Sequence, residues 1–189
     1  KDDDRFNSWK QRSKEFLTDW LGQRKVVQDK LAGYAHALIF WGFLMLVSDV
    51  IDLGTGGLFA KFLEKIYLAN IWNLVVDIGY AMAGIGILIA LYRRLIVRPE
   101  KLKDTSMEGV LILFAILGIV ITAFIVEAGY MIGDNAHYNN WEPIGVLFAK
   151  QMESINIETL ATIIDVSYWM HMVLIGLFLI EIPQTKHSH

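Results

Sequence analysis

The sequence predicts an all-α integral membrane protein: a four-helix bundle with an N-terminal amphipathic interfacial helix and both termini cytoplasmic. Three observations predict it. First, 54% of the 189 residues are hydrophobic, against roughly 45–50% in soluble domains. Second, four apolar runs, at about residues 31–53, 71–92, 110–132 and 160–182, each approach the ~20 residues that cross a hydrocarbon core. Third, the basic residues are asymmetric. Eight Lys/Arg lie in residues 1–30 and five in the loop at 93–104, whereas the other two loops hold only Lys61, Lys65 and Lys150. Basic loops stay on the cytoplasmic side, so spans one and three run outward.

Residues 1–30 form the first unit. Phe6, Trp9, Phe16, Leu17, Trp20 and Leu21 recur at helical spacing, with Lys10, Arg12 and Lys14 on other faces. That pattern reads as a helix lying on the membrane surface or as a soluble docking helix. Residues 31–189 form the second unit, the four-span domain. Span one carries His36 beside Ala32, Gly33 and Ala35. The first outer loop has Gly54, Gly56 and Gly57 as breakers and is too short for a domain. Span two contains Asp77, and span three contains Glu127. The second outer loop is longer, contains His137, and is expected to form a short interfacial helix after Pro143, because proline suits a first helical turn. Span four contains Asp165, His171 and Glu181. Pro183 follows, and a membrane helix can continue through a proline. Trp41, Trp72, Trp141 and Trp169 read as interface anchors or packing residues. None of the four runs has the charged n-region, short apolar core and small-residue cleavage site of a signal peptide; the chain starts on Lys1, so its beginning is expected to be missing or processed.

Composition excludes several chemistries. There is no cysteine, hence no disulfide, no thiolate-held iron–sulfur cluster and no covalently attached c-type haem. Gly54-Thr55-Gly56-Gly57 lacks the Lys-Ser/Thr ending of a phosphate loop, and Gly84-Ile85-Gly86 sits inside a span. The basic face fits anionic lipid, and nothing points to nucleic acid.

The histidines carry the functional signal. His171 and His189 are eighteen residues apart, five whole helical turns, and so share a face about 27 Å apart along the axis. His187 falls nearly opposite. His36 and His189 lie near the cytoplasmic ends of spans one and four, at similar depth, where two imidazoles can ligate one iron from both sides. His171 lies deeper and would begin a second site. Intramembrane ionisable residues are costly and are functional candidates; haem ligation, a proton path and helix–helix hydrogen bonding are the open readings. Asp77, Glu127, Asp165 and Glu181 must be neutral, paired or wet. They are candidates for quinone-coupled proton relay, with helix–helix hydrogen bonding the alternative for Asp77. Arg93, Arg94 and Lys186 suit haem propionates or simply mark the cytoplasmic side.

HALIFWGFLMLV in span one, ALYRRLIVRPEKL after span two and WMHMVLIGLFLIEIPQTKHSH at the end resemble one family. It is the haem b membrane domain of heterodisulfide reductase-related iron–sulfur oxidoreductases, similar to the nitrate reductase gamma subunit. The domain is a separate subunit in methanogen heterodisulfide reductase and is fused ahead of an iron–sulfur domain in bacterial electron-transfer-flavoprotein:quinone oxidoreductases. In the fused members the polypeptide continues after the position of His189. The closing IPQTKHSH looks like the family's Pro-x-Ser-Lys-His-x-His ending, with Thr185 in the serine place. The resemblance implies non-covalent haem b, with two haems favoured over one. His36 and His189 match the ligands of the haem nearest the iron–sulfur partner, and His171 matches a ligand of the distal haem. The sequence departs from the pattern at Leu46, where the nitrate reductase subunit has a second histidine. His137, a methionine or no residue at all is left as partner of His171, and His187 is assigned to a propionate or a partner surface.

The reading is a module of the cytoplasmic (inner) membrane. It passes electrons between a cytoplasmic heterodisulfide reductase-like iron–sulfur subunit or domain and a quinone or methanophenazine. No side chain makes or breaks covalent bonds. A haem-free small transporter or assembly subunit with a histidine proton path is the rival.

Overall fold

The computed structural model describes residues 9–16, 18, 30–99, 107–133 and 138–184. His137, Thr185, Lys186, His187 and His189 lie outside them, as does the side chain of Glu181.

Seven α-helices and no strand are present among the described residues. Helix α1 is Trp9–Phe16, the described part of the amphipathic segment. Its Trp9 and Phe16 are seven residues apart, so both lie on one face, and both are exposed. The four spans are α2 (Lys30–Thr55), α4 (Ala69–Tyr92), α5 (Met107–Gly133) and α7 (Ile157–Gln184). At 1.5 Å per residue they are about 36–42 Å long, more than the ~30 Å of a hydrocarbon core. All four are long and apolar enough to cross a membrane. Their outward faces carry large exposed apolar side chains such as Leu111, Phe114, Leu177 and Ile180, as a lipid-facing surface requires. Helix α7 runs through Pro183 to Gln184, so the proline does not end it. The basic residues at 93–94 fall in a π-helical turn, Arg93–Val97, which extends α4.

Both outer connections contain helices. Pro143–Met152 forms α6, with the proline in its first turn. The first outer loop also holds a helix, α3 (Leu58–Lys65), where the glycines had argued for a plain loop. The glycines end α2, with Gly56 and Gly57 at φ 63° and 81°. The chain then restarts a helix because the Asp52 carboxylate of α2 accepts the Ala60 N–H at 2.7 Å. Asp77 of α4 does the same for α6. It accepts the N–H groups of Ile144 and Gly145, each at 2.9 Å. The first N–H groups of a helix have no partner within it. In both cases a carboxylate from a span supplies one, and the positive end of the helix favours its charge.

The spans pack as a row in the order α2, α4, α5, α7. Small residues bring α2 onto α4 at backbone contact, the usual device between membrane helices. A Cβ at Gly42 would stand 2.7 Å from both the Ala83 nitrogen and the Gly79 oxygen, and one at Gly86 would stand 2.8 Å from the Ala35 oxygen. The core lies between α4 and α5, where Ala83, Ile87 and Leu91 meet Val110, Ile116, Val120 and Phe124. Phe124 stacks on Phe148 of α6 at 4.9 Å, which fixes α6 as a roof over the outer end. The two ends of the row, α2 and α7, also meet. Phe43 and Phe178 stack across the gap at 6.0 Å, and a cleft remains between the two helices.

Candidate functional site

The α2–α7 cleft is a cavity of about 440 Å³, within the 300–1,000 Å³ usual for small-molecule and cofactor sites. Phe43, Leu46 and Val47 form one wall, and His171, Ile175 and Phe178 the other; Tyr80 and Ile119 line it from α4 and α5. Its lining is predominantly hydrocarbon.

His171 is the one histidine among these residues. It is half-buried, and its Nδ1 lies 3.0 Å from the Ile119 carbonyl oxygen and 3.0 Å from Thr122 Oγ1. A carbonyl can only accept, so Nδ1 carries the proton and donates it. The Thr122 hydroxyl donates in turn to the Gly118 carbonyl at 2.7 Å, which leaves its own lone pairs facing Nδ1. The network therefore fixes the tautomer in which Nε2 is unprotonated and bears a free lone pair. A ring N–H held by a backbone carbonyl is the usual support of a metal-ligating histidine.

His36 is exposed. It precedes Phe43 by seven residues and Val47 by eleven, both near whole numbers of turns, so it shares the cleft-facing side of α2. Leu46 is some 15 Å farther along the axis than His36. His36 lies outside the cavity lining, whereas Leu46 borders the cleft together with His171. Among the described residues no three His, Cys, Asp or Glu gather as a metal cluster.

His171 also borders a second cavity of about 340 Å³ at the outer end. Glu127, Glu142, Asn73, Tyr80 and Tyr168 supply its polar groups. The Glu127 carboxyl packs over Gly145 of α6, where a Cβ would come within 2.9 Å. Glu142 accepts from Asn139 Nδ2 at 2.7 Å. Burial is the main reason its carboxyl is pushed above the ordinary glutamate range; the Asp77 charge pushes the same way, and hydrogen bonds from Asn139 and Asn73 oppose it. A group whose folded pKa is raised loses its proton first in the unfolded chain. Stability therefore falls as pH rises from the ordinary glutamate value through the raised one. The expected outcome is that Glu142→Gln flattens the pH dependence of the thermal midpoint in that window.

Of the other predicted residues, Asp77 is 1% exposed and is spent on α6, the hydrogen-bonding alternative. Asp165 is exposed and outside both cavities. Arg93 and Arg94 border neither cavity. Arg94 lies against Gly109 of α5, and its Nε is buried with no acceptor among the described residues. The sequence alone does not single out Glu142, Asn73, Tyr80 or Thr122. Thr122, a lone hydroxyl in an apolar run, and Glu142, directly before Pro143, were the available signals.

No protein-family model matches the chain, and no solved structure matches it. Two curated proteins do. The EtfAB:quinone oxidoreductase of Syntrophomonas wolfei is 30% identical over 179 residues, 88% of this chain and 25% of the relative. The "Probable iron-sulfur-binding oxidoreductase FadF" of Bacillus subtilis is 28% identical over 185 residues, 96% of this chain and 26% of the relative. Over most of its length the chain is thus similar to two oxidoreductases, one of them described as probably iron–sulfur-binding, and it spans about a quarter of the length of these relatives.

Proposed function

We propose that this chain is a haem b electron-transfer module of the cytoplasmic membrane, joining a cytoplasmic heterodisulfide reductase-like iron–sulfur partner to a quinone or methanophenazine pool. The observation that carries the reading is His171: a buried-side Nδ1 pinned to the Ile119 carbonyl, a free lone pair on Nε2, and an apolar cleft of about 440 Å³ beside it. A histidine kept only for packing or helix–helix bonding would not require that cleft. The similarity to a quinone oxidoreductase and to a probable iron–sulfur-binding oxidoreductase supports the same direction.

In this reading His171 holds the distal haem and His36, with His189, the proximal one. The haem supplies one-electron chemistry; the protein sets its potential through ligand, burial and hydrogen bonding. Arg94, whose buried Nε lacks an acceptor among the described residues, is suited to a propionate, which it would meet as a charged pair. The outer cavity places Glu127 and Glu142 beside His171, where a carboxylate can take a proton released by a reduced quinone and pass it outward.

The test is spectral. Reduced-minus-oxidised spectra of the purified protein should show a b-type signal, and acid–acetone should extract the haem. His36→Ala and His171→Ala should each remove part of that signal, and the double variant all of it. A signal unchanged in both variants, or no signal in the unmodified protein, would contradict the reading.

A further inference from the structure

We propose that α3 lies in the plane of the outer membrane–water interface, with Leu58, Phe62 and Ile66 seated among lipid acyl chains and Tyr67 at headgroup level. The inference rests on the membrane reading of the four spans and is independent of haem.

Helix α3 divides its circumference three ways. Phe59 and Leu63, one turn apart, face the bundle: Phe59 meets Trp72 of α4 edge-on at 5.3 Å, and Leu63 is buried. Lys61, Glu64 and Lys65 are exposed and share the polar side. Leu58 and Phe62, with Ile66 directly after the last turn, recur at steps of four and form a third stripe between the other two. They are apolar, yet Leu58 is 65% exposed and Phe62 55%. A helix packed between protein and water needs one apolar face only. Protein, water and hydrocarbon meet together at a membrane interface, where an amphipathic helix sinks its apolar face about 5–10 Å into the headgroup–acyl boundary. The stripe runs the length of α3, so it meets a planar boundary throughout only when the helix axis is parallel to that boundary.

Tyr67 points to the same medium. Its φ is 58°, in the left-handed region that glycine usually fills just after a helix. The turn is closed around it: the Tyr67 N–H donates to the Glu64 carbonyl at 3.1 Å and the Leu68 N–H to the Leu63 carbonyl at 2.9 Å. A bulky residue there is strained. At 93% exposure its ring gains little from the protein in return. Tyrosine rings collect at the headgroup layer of membranes, which supplies the missing contact.

The spans that α3 joins carry exposed apolar side chains to their outer ends, Ile51 on α2 and Leu68 and Ile71 at the start of α4. Hydrocarbon exposure therefore continues from the spans onto α3. Lys61 and Lys65 can run their stems along the stripe and lift their ammonium groups to lipid phosphates. A second copy of the chain fits less well, because a standard protein interface takes about 20–30 residues a side and the stripe offers only a few side chains.

The chain has no cysteine, so single cysteines can carry a bimane fluorophore without background. The full chain is reconstituted in phosphatidylcholine vesicles whose acyl chains are brominated either near the headgroup or near the methyl end. Labels at Phe62→Cys and Leu58→Cys should be quenched by the shallow bromines, and several-fold less by the deep bromines or by aqueous iodide. A label at Lys61→Cys should respond to iodide instead. Ile85→Cys, at an exposed position inside α4, should respond most to the deep bromines. Leu58 and Phe62 are both outside the packed face, and either variant suffices if the other fails to fold. Iodide quenching of the Leu58 and Phe62 labels equal to that of the Lys61 label would put α3 in water and overturn the inference. Protection of both labels from every quencher would put protein, a second copy or another partner, against the stripe and also overturn it. An Ile85 label insensitive to both bromolipids would overturn the membrane reading itself, and this inference with it.

Discussion

Gly42→Val is expected to disrupt the bundle more than any other single change considered for this protein. The first atom of any side chain at position 42 meets backbone, not side chain: the Ala83 nitrogen and the Gly79 oxygen, both at 2.7 Å. Flexible side chains can yield a few tenths of an ångström; a helix backbone cannot. The two helices must separate, and Gly86 in turn loses its fit against Ala35 and Ile39. Overpacking commonly costs about 1–3 kcal/mol, and more where the obstacle is rigid, so a loss of at least ~3 kcal/mol is expected. Because α2 forms one wall of the cleft, the same change should also distort that cavity. Gly54→Ala is the control: nothing lies within 4 Å of its added Cβ, and the change should be neutral or stabilising by up to ~1 kcal/mol. Thermal unfolding in detergent compares them.

Asp77→Ala is the second large effect. The substitution removes an acceptor for two backbone N–H groups, those of Ile144 and Gly145, and Gly145 is buried. An unsatisfied buried donor costs about 1–3 kcal/mol, so the pair should cost about 2–5 kcal/mol. The loss should be local before it is global. With α6 unpinned, the roof over the outer cavity loosens, and proteolysis within 138–152 should accelerate while the four spans persist. Asp77→Asn keeps one oxygen to accept and should fall between the two. Equal protease resistance in Asp77→Ala and the unmodified protein would show that Phe124–Phe148 stacking holds α6 without the carboxylate.

The fold was legible where a single segment decides its own fate. Hydropathy over twenty residues is a strong signal, and all four spans lie within a few residues of their expected limits. Helix α6 was legible because Pro143 announces a first turn. Helix α3 was not, because the decisive group is Asp52, eight residues before Ala60 on another helix. The sequence around Gly56 and Gly57 shows only the break.

The candidate site divides the same way. An imidazole in an apolar span makes His171 a functional candidate without any structure. Its carbonyl partner, Ile119, is 52 residues away and becomes visible only once α5 packs on α7. Asp77 was legible as a residue needing hydrogen bonds, but its partners are 67 and 68 residues distant. Glu142 was hidden for another reason. In sequence it is one polar residue in a polar loop, and only the fold turns α6 inward and makes it border a cavity with Glu127 and His171. Asp165 shows the reverse: its position in an apolar run made it a candidate, and α7 presents it outside both cavities.

The central claim is that the groove between the first and fourth spans holds haem at two levels, and the haem-to-protein ratio of the purified protein tests it most directly. Pyridine haemochrome absorbance against protein mass gives the number without assuming any ligand. The account predicts b-type haem at about two per chain, falling to about one in His171→Ala. A ratio near zero would contradict the claim outright. A ratio near one, unchanged in His171→Ala, would leave the cytoplasmic-side haem and contradict the distal site.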